Sequence, residues 1–400
     1  MSAGKRIYVV GTCDTKGEEL HYAADLLKKA GAQSLVVDVS TRPGTFRCDV
    51  SAADVARWHA RGAAEVLGLS DRGQAVTAMA EALTNFVLSR DDVGGILGMG
   101  GSGNSTIVTA AMRALPIGVP KLMVSTLASS DVASFVGASD IAMMHSVSDV
   151  AGLNAISRRV IGNAAHAVGG MMLNAIPPVP KGKTPVGLTM FGVTTACVTQ
   201  VRQQLEENCE CFVFHATGIG GRCMEKLAES GYLYAVVDLT TTEVADYLCG
   251  GVLPCTEDRF GAIIRTKVPY VGSVGALDMV NFGPRETAPE KYAARHFHTH
   301  NSSVTLMRTT PSENTKIGDW IVERLNRMNG PARFLLPLRG VSAIDATGEV
   351  FYAPEADNAL FAAIRSGWKQ APNRKLIEVD EHINSLAFAQ AVVNAFREIT

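Results

Sequence analysis

The sequence predicts an α/β fold with two Rossmann-like, doubly wound parallel-sheet domains that face a cleft. Short apolar runs alternate along the chain with segments of helical spacing, which is the pattern of β-α-β units. Loops rich in glycine and hydroxyl residues follow many of these runs. A proline-rich stretch at 177–183 interrupts the pattern, which then begins again. We therefore predict domains at 1–180 and 184–400, and the closing helix of the second could also pack back on the first.

The composition is that of a globular protein with substantial apolar cores. Of the 400 residues, 47% are hydrophobic and 19% are charged, and the net charge is −2. A balanced charge argues against nucleic-acid partners. The sequence shows neither a membrane-spanning run nor the apolar stretch of a signal peptide, so we expect a cytoplasmic protein without a membrane partner. The eight cysteines include no C-x-x-C pair, and we expect reduced thiols.

The first β-α-β unit supplies the first candidate nucleotide loop. An apolar strand at 6–10 leads into a polar turn and a helix, and a second strand at 34–39 follows. The candidate binding residues in the turn are Gly11, Thr12, Asp14, Thr15 and Lys16. Asp38 ends the second strand, where dinucleotide folds place a ribose contact. Because the first turn lacks G-x-G-x-x-G, a strand-end acid with no ligand remains the alternative.

The glycine-rich stretch at 98–106 is the second candidate nucleotide loop. An apolar run enters it at 93–97, and a segment with helical spacing leaves it at 107–115. Such a turn presents backbone N–H groups at the positive end of a helix, which favours phosphate. The candidates are Gly100, Gly101, Ser102, Gly103, Asn104, Ser105 and Thr106. A tight turn that binds nothing is the alternative. No lysine stands in the Walker position, so amides and hydroxyls would hold most of the phosphate.

A third loop, at 126–131, follows the apolar strand at 121–125. Thr126 and Ser129 in this loop join the candidate nucleotide set. Asp14 and Asp131 are carboxylates beside the predicted phosphate loops, and either could bind Mg²⁺ directly or through water. Each could equally be the N-cap of a helix.

The second domain repeats the alternation of strands and helices and offers a candidate site for a second substrate. Its glycine turn at 217–221 enters a helix and could hold an anionic group, although close packing of strand on helix would require the same glycines. A third strand leads into a hydroxyl-rich loop at 240–243. The candidates in the two loops are Thr217, Gly218, Gly220, Gly221, Thr241 and Glu243.

Three alternating histidines lie near the C-terminal third of the chain. In a strand, His296, His298 and His300 would share one face and could bind a metal ion. A polar loop with unrelated histidines is the alternative. His300, together with Asn301 and Arg308, equally suggests polar recognition of the second substrate.

Several motifs together resemble one family over nearly the whole chain. They are IYVVGTCDTKGEEL at 7–20, GGSG at 100–103, KLMVST at 121–126, HN at 300–301, LMRTT at 306–310 and PLRGVS at 337–342. This combination is similar to uncharacterised bacterial and plant proteins related to the N-terminal ATP-binding domain of the tomato mosaic virus resistance protein. The resemblance implies two Rossmann-like subdomains, ATP bound with Mg²⁺ in the first, and dimerisation. It supplies no established reaction.

These observations lead to one main functional hypothesis and two alternatives. The main hypothesis is a protein that binds ATP and Mg²⁺, acts on an unidentified small polar metabolite by phosphoryl or adenylyl transfer, and forms a homodimer or a higher homo-oligomer. The first alternative is a sugar-nucleotide epimerase or a glycosyltransferase-like enzyme, because two facing lobes would serve it equally well. The second is a non-catalytic, nucleotide-gated binding module. The sequence assigns no catalytic residue.

Overall fold

The computed structural model describes residues 4–42, 46–177 and 182–400. The chain divides into two units, Met1–Pro178 and Val179–Thr400. Most of the predicted linker at 177–183 lies outside the described residues. The strands of the first unit are β1 (Arg6–Gly11), β2 (Ser34–Asp38), β3 (Val93–Gly100), β4 (Lys121–Ser125) and β5 (Ala142–His145). Its helices are α1 (Cys13–Lys29), α2 (Ala52–Ala56), α3 (Ala64–Leu67), α4 (Arg72–Leu88), α5 (Ser102–Ala114), α6 (Ala133–Val136) and α7 (Ala155–Leu173).

The first unit is a doubly wound parallel sheet, as predicted. Its strands lie in the order β2-β1-β3-β4-β5, and neighbouring strands are parallel. The alternation along β1 produces two apolar layers, because successive side chains point to opposite faces. Ile7 and Val9 pack in one core with residues of α1 and α7, whereas Tyr8 and Val10 pack in the other with residues of α4 and α5.

The second unit has a larger set of elements. Its strands are β6 (Thr184–Met190), β7 (Cys209–His215), β8 (Ala235–Thr240), β9 (Tyr270–Gly275), β10 (Met279–Phe282), β11 (Phe297–Asn301), β12 (Val304–Arg308), β13 (Ala332–Pro337) and β14 (Arg374–Val379). Its helices are α8 (Thr195–Leu205), α9 (Ile219–Glu229), α10 (Glu243–Cys249), α11 (Gly261–Thr266), α12 (Pro311–Leu325), α13 (Pro354–Gly367) and α14 (Leu386–Ile399).

The main sheet of the second unit follows the plan of the first. Its six strands are parallel and lie in the order β14-β13-β9-β8-β6-β7. In both units the first strand therefore lies between the second and the third. Sheets of this kind bind ligands beyond the carboxyl ends of their strands, at the point where the strand order reverses. That switch point lies between β1 and β3 in the first unit and between β6 and β8 in the second.

The second unit also contains a separate antiparallel sheet, in which the strands lie in the order β10-β12-β11. The closing helix α14 buries Phe388, Val392 and Phe396 in a core shared with α8 of its own unit. Among the described residues, no helix combines the length and apolarity that crossing a membrane requires.

Candidate functional site

A cavity of about 440 Å³ opens at the switch point of the first unit. The loops that follow β1 and β3 both line it, as expected for an open parallel sheet. The predicted residues that line this cavity are Thr12, Asp14, Thr15, Lys16, Gly100, Gly101, Ser102, Gly103 and Asn104. The structure thus brings the first two candidate nucleotide loops together.

The N-terminus of α5 is open toward this cavity. Gly101 is the N-cap, and no side chain caps the helix. The backbone N–H groups of the first helical turn have no partner within the helix, so they remain available to an anion. A Cβ atom at Gly101 would lie 3.8 Å from Thr126 Oγ1, its nearest neighbour, which is an ordinary van der Waals contact. Packing does not require glycine here, and the space above the helix end is free.

The loop after β1 contributes side chains rather than amides. The N–H of Cys13 donates to Asp38 Oδ1 at 3.0 Å, and the N–H of Asp14 donates to Ser40 Oγ at 3.1 Å. The Lys16 N–H donates to the carbonyl oxygen of Thr12. These amides are occupied within the protein. The loop therefore offers hydroxyl, carboxylate and ammonium groups to the cavity instead of a backbone cradle.

The cavity carries more positive than negative side chains. Lys16, Arg42 and Arg72 line it, and within the described residues none of these side chains has a hydrogen-bond acceptor or an ion-pair partner. Two carboxylates, Asp14 and Asp149, also line it. Asp14 accepts hydrogen bonds from Ser40 Oγ at 3.2 Å and Thr15 Oγ1 at 3.3 Å. Three cations that have no partner among the described residues lie beside an uncapped helix N-terminus, and together they make this an anion-attracting cavity.

Sequence reasoning missed several residues of the cavity. Arg42 and Thr41 follow β2, whose carboxyl end borders β1, so the parallel-sheet rule could have found them. Arg72 opens α4 after an irregular stretch, and Asp149 follows β5, where no pattern marked them. The apolar part of the lining was also missed and consists of Val39, Leu69, Ala75, Val76 and Ile107.

Other predicted residues lie outside the cavity lining, and several have structural roles. Asp38 accepts hydrogen bonds from the N–H groups of Cys13 and Ser40 and so holds the start of α1, as a strand-end acid with a structural role would. Asp131 Oδ1 accepts a hydrogen bond from the Ala133 N–H at 2.9 Å, but the N-cap residue of α6 is Val132. The nucleotide and magnesium candidates that lie outside the lining of this cavity are Gly11, Asp38, Ser105, Thr106, Thr126, Ser129 and Asp131.

The glycine turn of the second unit is occupied by the protein itself. Glu243 Oε1 accepts hydrogen bonds from the N–H groups of Gly218 at 2.8 Å and Gly221 at 3.1 Å. A Cβ atom at Gly220 would lie 1.8 Å from the carbonyl oxygen of His215. The glycines are therefore required by close packing, and an internal carboxylate takes the position that we expected for a second substrate.

Glu243 belongs to a buried charge network around Arg259. The guanidinium donates to Glu243 at 3.2 Å, to Glu225 at 2.7 Å and to both oxygens of Asp238 at 2.8 and 2.9 Å. Burial raises the pKa of Glu225 to about 7. Such a network leaves no charge free for a ligand, so it stabilises the local structure rather than forming an open site.

Hydroxyl groups close the rest of this second switch point. Thr194 and Thr240 share a hydrogen bond of 2.8 Å, and the Thr240 N–H donates to Thr189 Oγ1 at 3.0 Å. Thr241 Oγ1 donates to the carbonyl oxygen of Ser273. Thr240, Thr241 and Glu243 are completely buried. Thr217, in contrast, is half-buried and donates to the carbonyl oxygen of His215.

The three remaining second-substrate candidates do not form one site. His300 and Asn301 are exposed at the tip of the β11–β12 hairpin, where Asn301 Oδ1 accepts from the Ser303 N–H. Arg308 ends β12 and is buried. Its guanidinium donates to Asp357 at 2.7 Å and Asp345 at 3.3 Å. Arg308 therefore has a structural role.

The histidine metal site also finds no support. The rings of His296 and His298 both lie edge-on to Phe351, with centroid distances of 5.4 and 6.2 Å. Across the described ranges, Cys13, Asp38 and Cys48 are the one group of three or more His, Cys, Asp or Glu side chains close enough to share a metal ion.

The cysteines divide into one pair and six free thiols. Cys13 and Cys48 form a disulfide, which corrects the expectation that every thiol is reduced. The free cysteines are Cys197, Cys209, Cys211, Cys223, Cys249 and Cys255. Burial raises the pKa of Cys197, Cys249 and Cys255 to about 12, so these thiols are unreactive at neutral pH.

Two family models match the chain and together span nearly all of it. Residues 5–177 match the model described as "Uncharacterised protein family (UPF0261) N-terminal domain". Residues 183–400 match the C-terminal domain of the same family. The domain limits of these models agree closely with the two units of the structure.

Relatives occur in bacteria and in a plant. A UPF0261 protein of Rhizobium meliloti (strain 1021) is 55% identical over 395 residues, covering 99% of both chains. The ToMV resistance protein Tm-1(GCR237) of Solanum lycopersicum is 41% identical over 426 residues, covering all of this chain and 56% of the tomato protein. The structure of the glycosyltransferase SsfS6 of Streptomyces sp. SF2575 aligns with 67% of this chain and with 81% of the SsfS6 chain, at 13% sequence identity. The TM-score of 0.19 is too low to indicate a shared fold.

Proposed function

The chain belongs to the uncharacterised protein family UPF0261, and on that premise we propose that it binds ATP with Mg²⁺ in the cavity of its first unit. One observation carries the proposal. Lys16, Arg42 and Arg72 surround an uncapped helix N-terminus at the switch point of a parallel sheet, and within the described residues none of them has a protein partner. A triphosphate supplies the negative charge that such a group attracts.

The two ends of the cavity suit the two ends of a nucleotide. The first-turn amides of α5 and the three cations would bind the phosphates. Val39, Leu69 and Ile107 provide apolar surface against which a base could be buried. The volume of about 440 Å³ falls within the range of small-molecule sites.

Asp14 and Asp149 fit the metal requirement of this proposal. Mg²⁺ in nucleotide sites is held by one or two carboxylates together with phosphate oxygens and water. Both side chains line the cavity, whereas Asp131 does not. Mg²⁺ would neutralise phosphate charge. In our proposal Asp149 therefore replaces Asp131 as the partner of Asp14.

A binding panel tests the ligand. Calorimetric titrations with ATP, ADP, NAD and a UDP-sugar are run with and without Mg²⁺. We expect ATP to bind and Mg²⁺ to strengthen the binding. Preferential binding of the UDP-sugar would replace this proposal with the sugar-nucleotide alternative, and no binding of any nucleotide would refute it.

A variant with valine at Gly101 tests the position of the ligand. The side chain would occupy the free space above the N-terminus of α5. We expect Gly101→Val to weaken ATP binding at least about 10-fold, equivalent to about 1.4 kcal/mol, while the fold measured by circular dichroism is retained. Wild-type affinity in a folded variant would place the phosphates elsewhere.

We further propose that bound ATP is consumed by phosphoryl or adenylyl transfer to a small polar metabolite, and that the protein acts as a homo-oligomer. Incubation with a metabolite library and Mg²⁺-ATP, followed by detection of ADP and AMP, tests the transfer. Tight ATP binding without turnover would favour the nucleotide-gated module. Light scattering with and without ATP measures the oligomeric state, and a monomer in both conditions would contradict that part of the proposal.

A further inference from the structure

Cys13, Cys48 and Asp38 place three metal-ligand atoms within 4.8 Å of one another. They come from the start of α1, the segment before Val50 and the end of β2. Cys13 is completely buried, whereas Asp38 and Cys48 are partly exposed. An ion could therefore reach the group from solvent on one side.

We propose that this group binds a thiophilic divalent ion of the zinc class when the Cys13–Cys48 disulfide is reduced. Two thiolates and one carboxylate form a donor set that suits Zn²⁺, with water in a fourth position. Magnesium prefers oxygen ligands, so this site is distinct in chemistry from the one proposed for nucleotide. The inference does not depend on ATP binding.

The spacing of the cysteines accommodates a shared ion. Their Cα atoms lie 7.4 Å apart, beyond the separation of about 4.4–6.8 Å that is usual for disulfides. Two sulfurs on one tetrahedral zinc ion lie about 3.8 Å apart, because each Zn–S bond is about 2.3 Å long. Two sulfurs that share a metal ion lie farther apart than two bonded sulfurs, so a shared ion fits this Cα separation.

The surroundings of the group orient the ligands. Asp38 Oδ1 accepts hydrogen bonds from the N–H groups of Cys13 at 3.0 Å and Ser40 at 2.9 Å, which fixes the carboxylate. Such second-layer hydrogen bonds are typical of metal sites. Cys13 opens the short first turn of α1, which the non-helical backbone of Lys16 (φ −129°, ψ 15°) separates from the main body of the helix.

The two states are linked by a balanced reaction. A phosphine attacks one sulfur, the S–S bond breaks, and hydrolysis transfers the oxygen of one water molecule to phosphorus. The two electrons from phosphorus go to the sulfurs, and the two protons of the water complete the two thiols. The ion then replaces both thiol protons and takes the thiolates as ligands.

Metal titrations of the reduced full-length protein test the proposal. The protein is reduced with a phosphine, freed of the reductant without air, and titrated with Co²⁺ and Cd²⁺. We expect one equivalent to bind, with the strong visible bands of tetrahedral Co²⁺ and a thiolate-to-Cd²⁺ charge-transfer band. Cys48→Ser should abolish both signals, and Asp38→Asn should weaken binding at least about 10-fold, as loss of a ligand or its support does.

A matched control separates this site from the other thiols. Cys223→Ser, in the second unit, should leave both signals unchanged. A reduced wild-type protein that shows neither signal would overturn the proposal and leave a simple disulfide. So would a Cys48→Ser variant that is folded by circular dichroism and keeps the thiolate signature.

Discussion

The two switch points of this molecule start from the same sheet arrangement and end in opposite states. In the first unit, the loops after β1 and β3 border an open cavity with three unpaired cations among its described lining residues. In the second, the loops after β6 and β8 bond to each other, and Glu243 fills the adjacent helix N-terminus. Topology thus decides where a site can form, and a few side chains decide whether it stays open to a ligand.

The glycines show the same contrast at the level of single atoms. At Gly101 an added Cβ atom would make an ordinary contact 3.8 Å from Thr126 Oγ1, whereas at Gly220 it would lie 1.8 Å from a backbone oxygen. A glycine that packing does not require is a better indicator of ligand space than a glycine that packing does require.

The largest effect is expected from removing the internal carboxylate. Glu243→Ala leaves the N–H groups of Gly218 and Gly221 without an acceptor, whereas Arg259 keeps its other carboxylate partners. A buried donor without an acceptor costs about 1–3 kcal/mol, so we expect a loss of about 2–5 kcal/mol in the free energy of unfolding. Denaturant unfolding measures it. Glu207→Ala, an exposed control on the same unit, should change little. Added sulfate should partly restore the stability of the Glu243→Ala variant alone, and a variant as stable as wild type would contradict the role of Glu243.

Removal of one cavity cation should weaken nucleotide binding selectively. A charge-assisted hydrogen bond contributes about 1.5–3 kcal/mol, so we expect Arg72→Ala to raise the dissociation constant for ATP by about 10- to 100-fold. Titration calorimetry measures the change. Arg57→Ala, which removes an exposed arginine paired with Asp54, is the control. Equal affinities in the two variants would show that Arg72 does not contact the nucleotide.

The two units should respond oppositely to pH. Burial raises the pKa of Asp246 and Asp357 to about 7 and of Asp278 to about 6. These groups bind more protons in the folded than in the unfolded state, so their contribution is full below about pH 4 and is lost as the pH rises through 6–7. In the first unit, hydrogen bonds from Arg90 and Ser51 lower the pKa values of Asp92 and Asp54, and their contribution is lost on acidification.

Hydrogen exchange followed by mass spectrometry resolves the two units in the intact chain. We expect protection of the second unit to fall between about pH 5 and pH 8, after correction for the intrinsic exchange rate. The first unit should show no such fall. The same trend in both units would contradict the assignment of the raised pKa values to stability.

The smallest effect should come from a single methyl group at Gly101. Its backbone angles of −86° and −161° suit any residue, and the added Cβ atom has room. We expect Gly101→Ala to cost less than about 1 kcal/mol, mainly through a poorer N-cap. Gly220→Ala should be far more damaging because a backbone oxygen blocks its Cβ atom. Similar melting temperatures for the two variants would show that packing requires glycine no more at position 220 than at position 101.

The parallel sheets could be predicted from the sequence because apolar runs indicate buried strands and helical spacing of apolar residues indicates helices packed on them. The loops at 12–16 and 100–104 could be placed on one edge of the sheet because both follow parallel strands, but the order of the strands comes from the structure. Arg72 and Asp149 could not be predicted, since no local pattern tells which distant loops meet at a cavity. The hydrogen bonds from the turn at 217–221 to Glu243 could not be predicted for a similar reason. Glu243 follows two elements later in the chain, and its sequence context indicates only the start of a helix.

Glu243 also has a consequence for how the second unit responds to its surroundings. A carboxylate joined to the chain and held against Gly218 and Gly221 acts as a tethered ligand with a very high effective concentration. Free phosphate at cellular levels cannot compete with such a neighbour. The second helix end is therefore insensitive to the supply of anions, whereas occupancy of the first would follow that supply by mass action. One chain thus contains a helix N-terminus that its own carboxylate saturates and another whose occupancy would vary with the anion concentration.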